Sequence, residues 1–186
     1  MEPKYQNLHQ EVIDLCMLGD RQAQYQLYKL YSKAMYNVSF RVTQNEQEAE
    51  DVLQDSFLSA FKNINSYKGT AAFGSWLKRI TLNNAINLVK KRRLIFESVE
   101  DYGAYDERFD QEENDDRDFE VGQVKKAIEL LPDGYRLVLT LYLIEGYDHK
   151  EIAEILSITE STSKSQFNRS KKKLRDILKE EFQHAG

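Results

Sequence analysis

From position 12 onward, apolar residues return every three or four positions: Val12, Leu15 and Cys16, then Leu27, Leu30, Tyr31, Ala34, Met35 and Val38. That spacing holds them on one face of an α-helix. Gly19-Asp20 interrupts the pattern and predicts two helices within residues 12–40. A third helix should follow: Thr43 or Asn45 can cap it, the glutamates at 46, 48 and 50 suit its positive N-terminus, and Val52, Leu53, Phe57, Ala60, Phe61 and Ile64 form its apolar stripe. The turn residues Asn65, Ser66, Gly69 and Gly74 mark a loop over 63–74, ahead of a fourth helix over 75–93.

The periodicity fails over 94–118, where acidic and polar residues dominate and Phe96, Val99, Tyr102, Tyr105 and Phe109 keep no common spacing. An irregular linker is expected there. Beyond it, 121–131 reads as a helix stopped by Pro132, and 135–144 as another stopped at Gly146. Asp148 and Glu151 have capping-box spacing for a short helix over 149–156, and Thr159 can cap a long one reaching residue 179. The expected fold class is all-α. Two small helical domains are predicted, a four-helix unit over 1–93 and a helix-turn-helix unit over 119–186, joined by an acidic linker over 94–118.

Composition agrees with this division. A chain of 186 residues suits two domains better than one, and with only Pro3 and Pro132 as prolines little interrupts its helices. The single cysteine, Cys16, has no partner for an intrachain disulfide, no apolar run approaches a membrane span, and the polar first ten residues lack the pattern of a secretory signal. A cytoplasmic protein is expected. The net charge of −5 argues against a nucleic-acid partner only until its distribution is followed. Positions 97–120 hold twelve acidic residues against two arginines, a local −10 that leaves +5 for the rest. Within that remainder, 78–93 and 164–175 each carry six basic residues and no acid. Two basic segments therefore flank an acidic one.

The segment 148–173 has the layout of a helix-turn-helix, with Ile152, Ala153 and Leu156 inward, Ile158 at the turn and Phe167 anchoring the second helix. That helix would enter a major groove. Its polar face offers Ser161, Thr162, Lys164, Ser165, Gln166, Asn168 and Arg169 to base edges and phosphates, and Lys172 lies in the basic run 171–173. The competing reading is a solvated basic surface helix. In the N-terminal unit, Asp51 and Asp55 stand one turn apart with Gln54 beside them, either a solvated acidic face or a dock for a basic partner. Around the loop, Tyr67, Phe73 and Trp76 adjoin Lys68, Lys78 and Arg79, with Asn83 and Asn84 a turn on. Aromatics with cations suit unstacked bases, although Phe73 and Trp76 also suit a helical core.

The stretch 131–156, with Leu131-Pro132, the apolar 135–144, Glu145-Gly146-Tyr147 and Glu151-Ile152-Ala153, resembles region 4 of extracytoplasmic-function sigma factors. Region 2 of the same family is resembled by 49–57 (AEDVLQDSF) and 73–80 (FGSWLKRI), in the family's order. The likeness spans about residues 10–180. It implies a non-enzymatic transcription initiation factor without cofactor, whose partners are core RNA polymerase and promoter DNA, with a membrane-linked anti-sigma factor as a further candidate. On this reading Asp51, Gln54 and Asp55 bind polymerase. Asn65, Tyr67, Lys68, Gly69, Ala72, Lys78 and Asn83 recognise and melt the minus-ten element, and Ser161, Thr162, Lys164, Ser165, Gln166, Arg169 and Lys172 read the minus thirty-five element. The acidic linker would thread polymerase channels that otherwise hold nucleic acid. Three positions depart from the family: Ser163 replaces a usual buried Val, which predicts a looser helix contact, Gln166 replaces Arg, and Ser157 replaces Gly. The alternative within DNA binding is a helix-turn-helix regulator that acts without polymerase. An enzyme would need a phosphate loop, a nucleophile-base pair or clustered ligands, and none is read in the sequence. The scattered His9, His149 and His184 suggest no metal site.

Overall fold

The structure is a computed structural model that describes residues 7–96 and 120–182, excepting the side chains of 92–96 and 182. Most of the segment expected as an acidic linker lies outside the described residues. Two compact units divide the chain between residues 92 and 93, and among the described residues every regular element is helical.

The first unit contains α1 (Gln10–Met17), α2 (Arg21–Thr43), α3 (Glu46–Lys62) and all but the last turn of α4 (Phe73–Phe96), with a 3-10 turn at Ile64–Ser66. The break between α1 and α2 has two causes. Gly19 takes φ +85°, which a side chain disfavours, and the Asp20 carboxylate accepts the Ala23 N–H at 2.8 Å to cap α2. Of the two caps offered to α3, Asn45 serves, its Oδ1 accepting the Glu48 N–H at 2.9 Å. Thr43 turns back instead and donates to the Ser39 carbonyl. The core joins Ile13 and Cys16 of α1, Leu27 and Met35 of α2, Leu53 and Phe57 of α3, and Phe73 and Leu77 of α4. Leu15, Leu30 and Ala34, expected on the inner stripe, are exposed. The buried row of α2 runs through Ala23, Leu27, Met35, Val38 and Val42, and these three apolar residues lie outside the contact faces.

The second unit contains α5 (Val121–Glu129), α6 (Asp133–Leu139), α7 (His149–Leu156) and α8 (Glu160–Phe182). The helix expected over 135–144 does not stay α-helical. Its last turn widens to π geometry at Thr140–Ile144, with the Glu145 N–H reaching the Thr140 carbonyl, and Gly146 at φ +78° ends it. The capping box forms as predicted, Glu151 N–H donating to Asp148 at 2.8 Å and Asp148 N–H to Glu151 at 2.9 Å. Thr159 Oγ1 accepts the Thr162 N–H at 3.0 Å and caps α8. Ala127, Leu131, Leu139, Ile177 and Leu178 form a buried cluster around which α5, α6 and α8 pack.

The turn from α5 to α6 depends on a buried charge. Arg136 is 5 % exposed. Its guanidinium pairs with Asp133 and donates to the Leu131 carbonyl at 2.7 Å and the Glu129 carbonyl at 3.4 Å. The Glu129 carbonyl ends α5, where the helix offers it no donor, and Leu131 follows two residues beyond. One side chain thus satisfies a helix terminus and fixes the Leu-Pro corner.

Candidate nucleic-acid and partner interfaces

On α3, Asp51, Gln54 and Asp55 are all exposed. Gln54 also lines a shallow groove of about 280 Å³ between α2 and α3, with Tyr28, Tyr36, Glu50 and Leu53 on its walls. The same face includes Leu58, 68 % exposed and one turn beyond Asp55. Sequence reasoning passed over Leu58 because an isolated apolar residue off the inner stripe carries no signal of its own. With the carboxylates it makes a mixed acidic and apolar surface.

The loop before α4 is pinned from beneath. Tyr67, expected to meet bases, is only 6 % exposed and belongs to the core. Its ring lies 5.4 Å from Phe73 and 5.5 Å from Trp76, and its hydroxyl donates to the Ala71 carbonyl at 2.5 Å. This corrects the sequence expectation: a phenol whose ring is enclosed by aromatics and whose hydroxyl is engaged inside cannot stack on a base, so Tyr67 shapes the loop. Phe73 is buried, and Trp76 is half-buried against the same cluster. Asn65 and Lys68 remain exposed, and Gly69 and Ala72 are half-buried. Gly69 takes φ +69°, a left-handed bend that suits glycine.

Along α4, Ser75, Arg79, Asn83 and Asn87 are exposed at four-residue intervals, so they form one stripe running from the loop. Lys78 is half-buried and sits about 100° round the helix from Arg79. The structure therefore aligns Asn83 with Arg79 and Asn87 rather than with Lys78. The signal that could have found them was the four-residue spacing from Asn83.

Helix α8 separates its polar residues into two groups. Ser161, Lys164, Ser165, Asn168 and Lys172 are exposed and share one face. Thr162, Gln166 and Arg169 are half-buried on its flank, Gln166 lying about 140° round from the centre of the exposed stripe. The Thr162 hydroxyl is 2.7 Å from Thr159 Oγ1, within the cap. Lys164 Nζ meets Glu160 Oε1 at 2.7 Å with both side chains more than half exposed. Hydrogen bonding and charge from Lys164 hold the Glu160 carboxyl below the usual carboxylate range. On the opposite face, Ser163 is fully buried and its Oγ lies 2.9 Å from His149 Nδ1. The imidazole stacks on Tyr142 at 4.6 Å. The expected loosening at Ser163 is thus met by a hydrogen bond across α7 and α8. Ser157 takes the left-handed φ of +58° that ends α7, which accounts for the glycine usual there.

Among the described residues no group of three or more His, Cys, Asp or Glu side chains could hold a metal ion, and no helix is long and apolar enough to cross a membrane.

Residues 27–95 match the family model for Sigma-70 region 2, and residues 122–174 that for Sigma-70, region 4. The chain is 30 % identical over 156 residues to the ECF RNA polymerase sigma factor SigE of Mycolicibacterium smegmatis, covering 82 % of this chain and 60 % of that protein. It is 29 % identical over 172 residues to the ECF RNA polymerase sigma factor SigW of Bacillus subtilis, covering 87 % of this chain and 92 % of that one. Its fold resembles that of the sigma factor RpoE from Bartonella quintana, solved in complex with the anti-sigma factor NepR, at a TM-score of 0.55 and 23 % identity over 84 % of this chain and 97 % of that one. CnrH, solved with the cytosolic domain of CnrY, is similar at a TM-score of 0.54 and 21 % identity, covering 91 % of this chain and 96 % of that one. With both region models matched in order and relatives aligned along most of its length, the chain belongs to the extracytoplasmic-function group of sigma-70 factors, transcription initiation factors rather than enzymes, which direct RNA polymerase to promoters.

Proposed function

We propose that the two units divide promoter recognition between them, residues 1–93 engaging polymerase and the minus-ten element and residues 119–186 the minus thirty-five element. The observation that carries this reading is the pair of exposed polar stripes, each rooted where a loop or turn delivers the start of a helix. On α8 the stripe begins at the cap formed by Thr159, and the first turns of such a helix are the part that meets base edges. Ser161, Ser165 and Asn168 are the groups to read bases there, while Lys164 and Lys172 hold phosphates. Gln166 and Arg169, on the flank, reach the backbone at the edge of the groove.

On the first unit, exposed Asn65 and Lys68 with the Arg79–Asn83–Asn87 stripe receive the opened strand, a contact that supplies both backbone charge and base-edge partners. Asp51, Gln54 and Asp55, joined by Leu58, dock on a basic and apolar surface of polymerase. The partner set includes an anti-sigma factor, the kind of partner with which RpoE was solved. The protein works in the cytoplasm, where polymerase and promoter DNA meet.

Transcription in vitro with the cognate core polymerase, mapped on genomic fragments, tests the whole reading through promoter-specific start sites. Replacing residues 65, 66 and 68–72 with Gly and Ser, with Tyr67 kept in the core, should abolish initiation from duplex promoters and spare it where the minus-ten region is already mismatched. Loss on both templates would overturn the melting role. Asp51→Ala with Asp55→Ala should weaken capture of core polymerase at unchanged thermal stability, and equal capture by parent and variant would remove that face from the dock.

A further inference from the structure

Asn7 stands sixty residues before Tyr67 in the chain, yet its side chain meets that residue inside the protein. It is only 7 % exposed. Its Nδ2 donates to the Tyr67 hydroxyl at 2.8 Å and to Gln10 Oε1 at 2.8 Å. Its Oδ1 accepts the Phe73 N–H at 2.7 Å. Phe73 opens α4, and its N–H is one of the donors that a helix leaves unsatisfied at its start. Tyr67, for its part, donates its hydroxyl hydrogen to the Ala71 carbonyl at 2.5 Å, with Asn7 Oδ1 as a second, longer acceptor at 3.2 Å. A single amide thus grips both ends of the loop from 67 to 73, while Lys68 and Thr70 at its crest are exposed.

The chemistry of this grip is specific. Its two bonds to the loop require a donor and an acceptor on one short side chain, which an amide supplies. Aspartate would keep the acceptor for Phe73 but lose the donor for Tyr67, and alanine would lose both. A loop that must receive bases as they leave the duplex works best when its own ordering is complete beforehand, since ordering it during opening adds to the barrier.

We propose that Asn7 is a positioning residue for promoter opening, a clasp that holds the 67–73 loop in its base-receiving shape without itself touching DNA or polymerase. The proposal rests on the reading of residues 65–72 as the melting element. It predicts that breaking the clasp hurts duplex promoters and leaves pre-opened ones alone.

The test uses holoenzyme reconstituted with the full chain, on a duplex promoter and on the same promoter mismatched through the minus-ten region. Asn7→Ala and Tyr67→Phe are each expected to lower initiation on the duplex by about tenfold or more and to leave the mismatched template at the parental level. Tyr67→Phe removes only the hydroxyl and keeps the ring in the core, so it is the milder variant for folding. The double variant should be no worse than Asn7→Ala alone, because both substitutions break one clasp, and Asn7→Asp should fall between parent and Asn7→Ala. Equal loss on both templates, no loss on either, or multiplied losses in the double variant would each overturn the proposal. The Gly/Ser loop replacement, assayed alongside, separates the two claims. If it shows no duplex-selective loss, the melting reading fails and the clasp with it. If it does while Asn7→Ala behaves as parent, only the clasp falls.

Discussion

Replacing Arg136 by Met should unfold the second unit selectively, because the side chain's volume is kept while a buried charge is removed. The guanidinium is enclosed, pairs with a partly exposed Asp133, and donates to the carbonyls of Leu131 and Glu129. Bonds from a charged donor contribute about 1.5–3 kcal/mol each, and breaking a buried pair costs about 3–5 kcal/mol. Asp133 keeps some contact with water, its side chain being 28 % exposed, so the lower end applies and a loss of about 3 kcal/mol is expected. A unit of this size is stable by only about 3–9 kcal/mol. Removing a third or more of that should bring its melting close to working temperature. The assay can tell the units apart, because Trp76 is the single tryptophan and lies in the first. Far-ultraviolet circular dichroism should show an early transition in Arg136→Met, while tryptophan fluorescence melts as in the parent. Arg136→Lys, with its charge but no planar fork, should lose about half as much. A dichroism midpoint that moves by less than about 1 kcal/mol equivalent would refute the reasoning, as would a tryptophan transition that moves with it.

Three further outcomes are expected. Ser157→Gly should stabilise the second unit by about 0.5–1 kcal/mol in urea melts, since Ser157 holds a left-handed φ that glycine adopts without strain; a lower midpoint would contradict this. Burial, with Asp20 adding to it, pushes the Cys16 thiol up to about 11, so alkylation of the folded chain at pH 8 should be about a hundredfold slower than of the unfolded chain. With its folded value raised, the thiol adds stability that is present below the unfolded chain's pKa and is lost as pH rises toward 11. Glu160→Gln should release Lys164 toward phosphate, tightening binding of upstream promoter DNA and steepening its salt dependence by about one unit of slope, and unchanged titrations would show that the pair does not compete with DNA.

Helix order and most caps were legible because each rests on local chemistry. Asp148 with Glu151, Thr159 and Pro132 act within a turn of their own positions, where sequence spacing is geometry. The inner stripe was legible only in part. Leu15 and Leu30 satisfy helical periodicity yet face outward, because which apolar face meets a neighbour is decided by the neighbour. Tyr67 failed for the same reason: its burial comes from Phe73, Trp76 and the distant Asn7, and no local pattern announces a contact across sixty residues. The exposed row on α4 was available in principle, since Ser75, Arg79, Asn83 and Asn87 are equally spaced. The widened turn at Thr140–Ile144 was not, for it shifts one backbone bond and leaves no mark in residue type.

Ser163 shows how a departure from the family can be absorbed without disturbing the exposed face of α8. Valine there would bury more apolar surface, a difference of about 1–2 kcal/mol, whereas a satisfied buried hydrogen bond returns about 1 kcal/mol. The exchange is close to even because the hydroxyl has a partner in His149 Nδ1 at 2.9 Å. Seven residues on, Ser170 is equally buried and donates to the Phe167 carbonyl at 2.7 Å. No buried side-chain polar atom among the described residues lacks a partner. An apolar contact would tolerate a small slide of α8 along α7, but a hydroxyl bonded to an imidazole does not, since a shift of one residue would strand both groups. The imidazole is itself packed against Tyr142 and Phe167, whose rings also meet each other. Directional bonding on the buried side therefore sets where Ser161, Ser165 and Asn168 stand on the exposed side, the face proposed to read the upstream element.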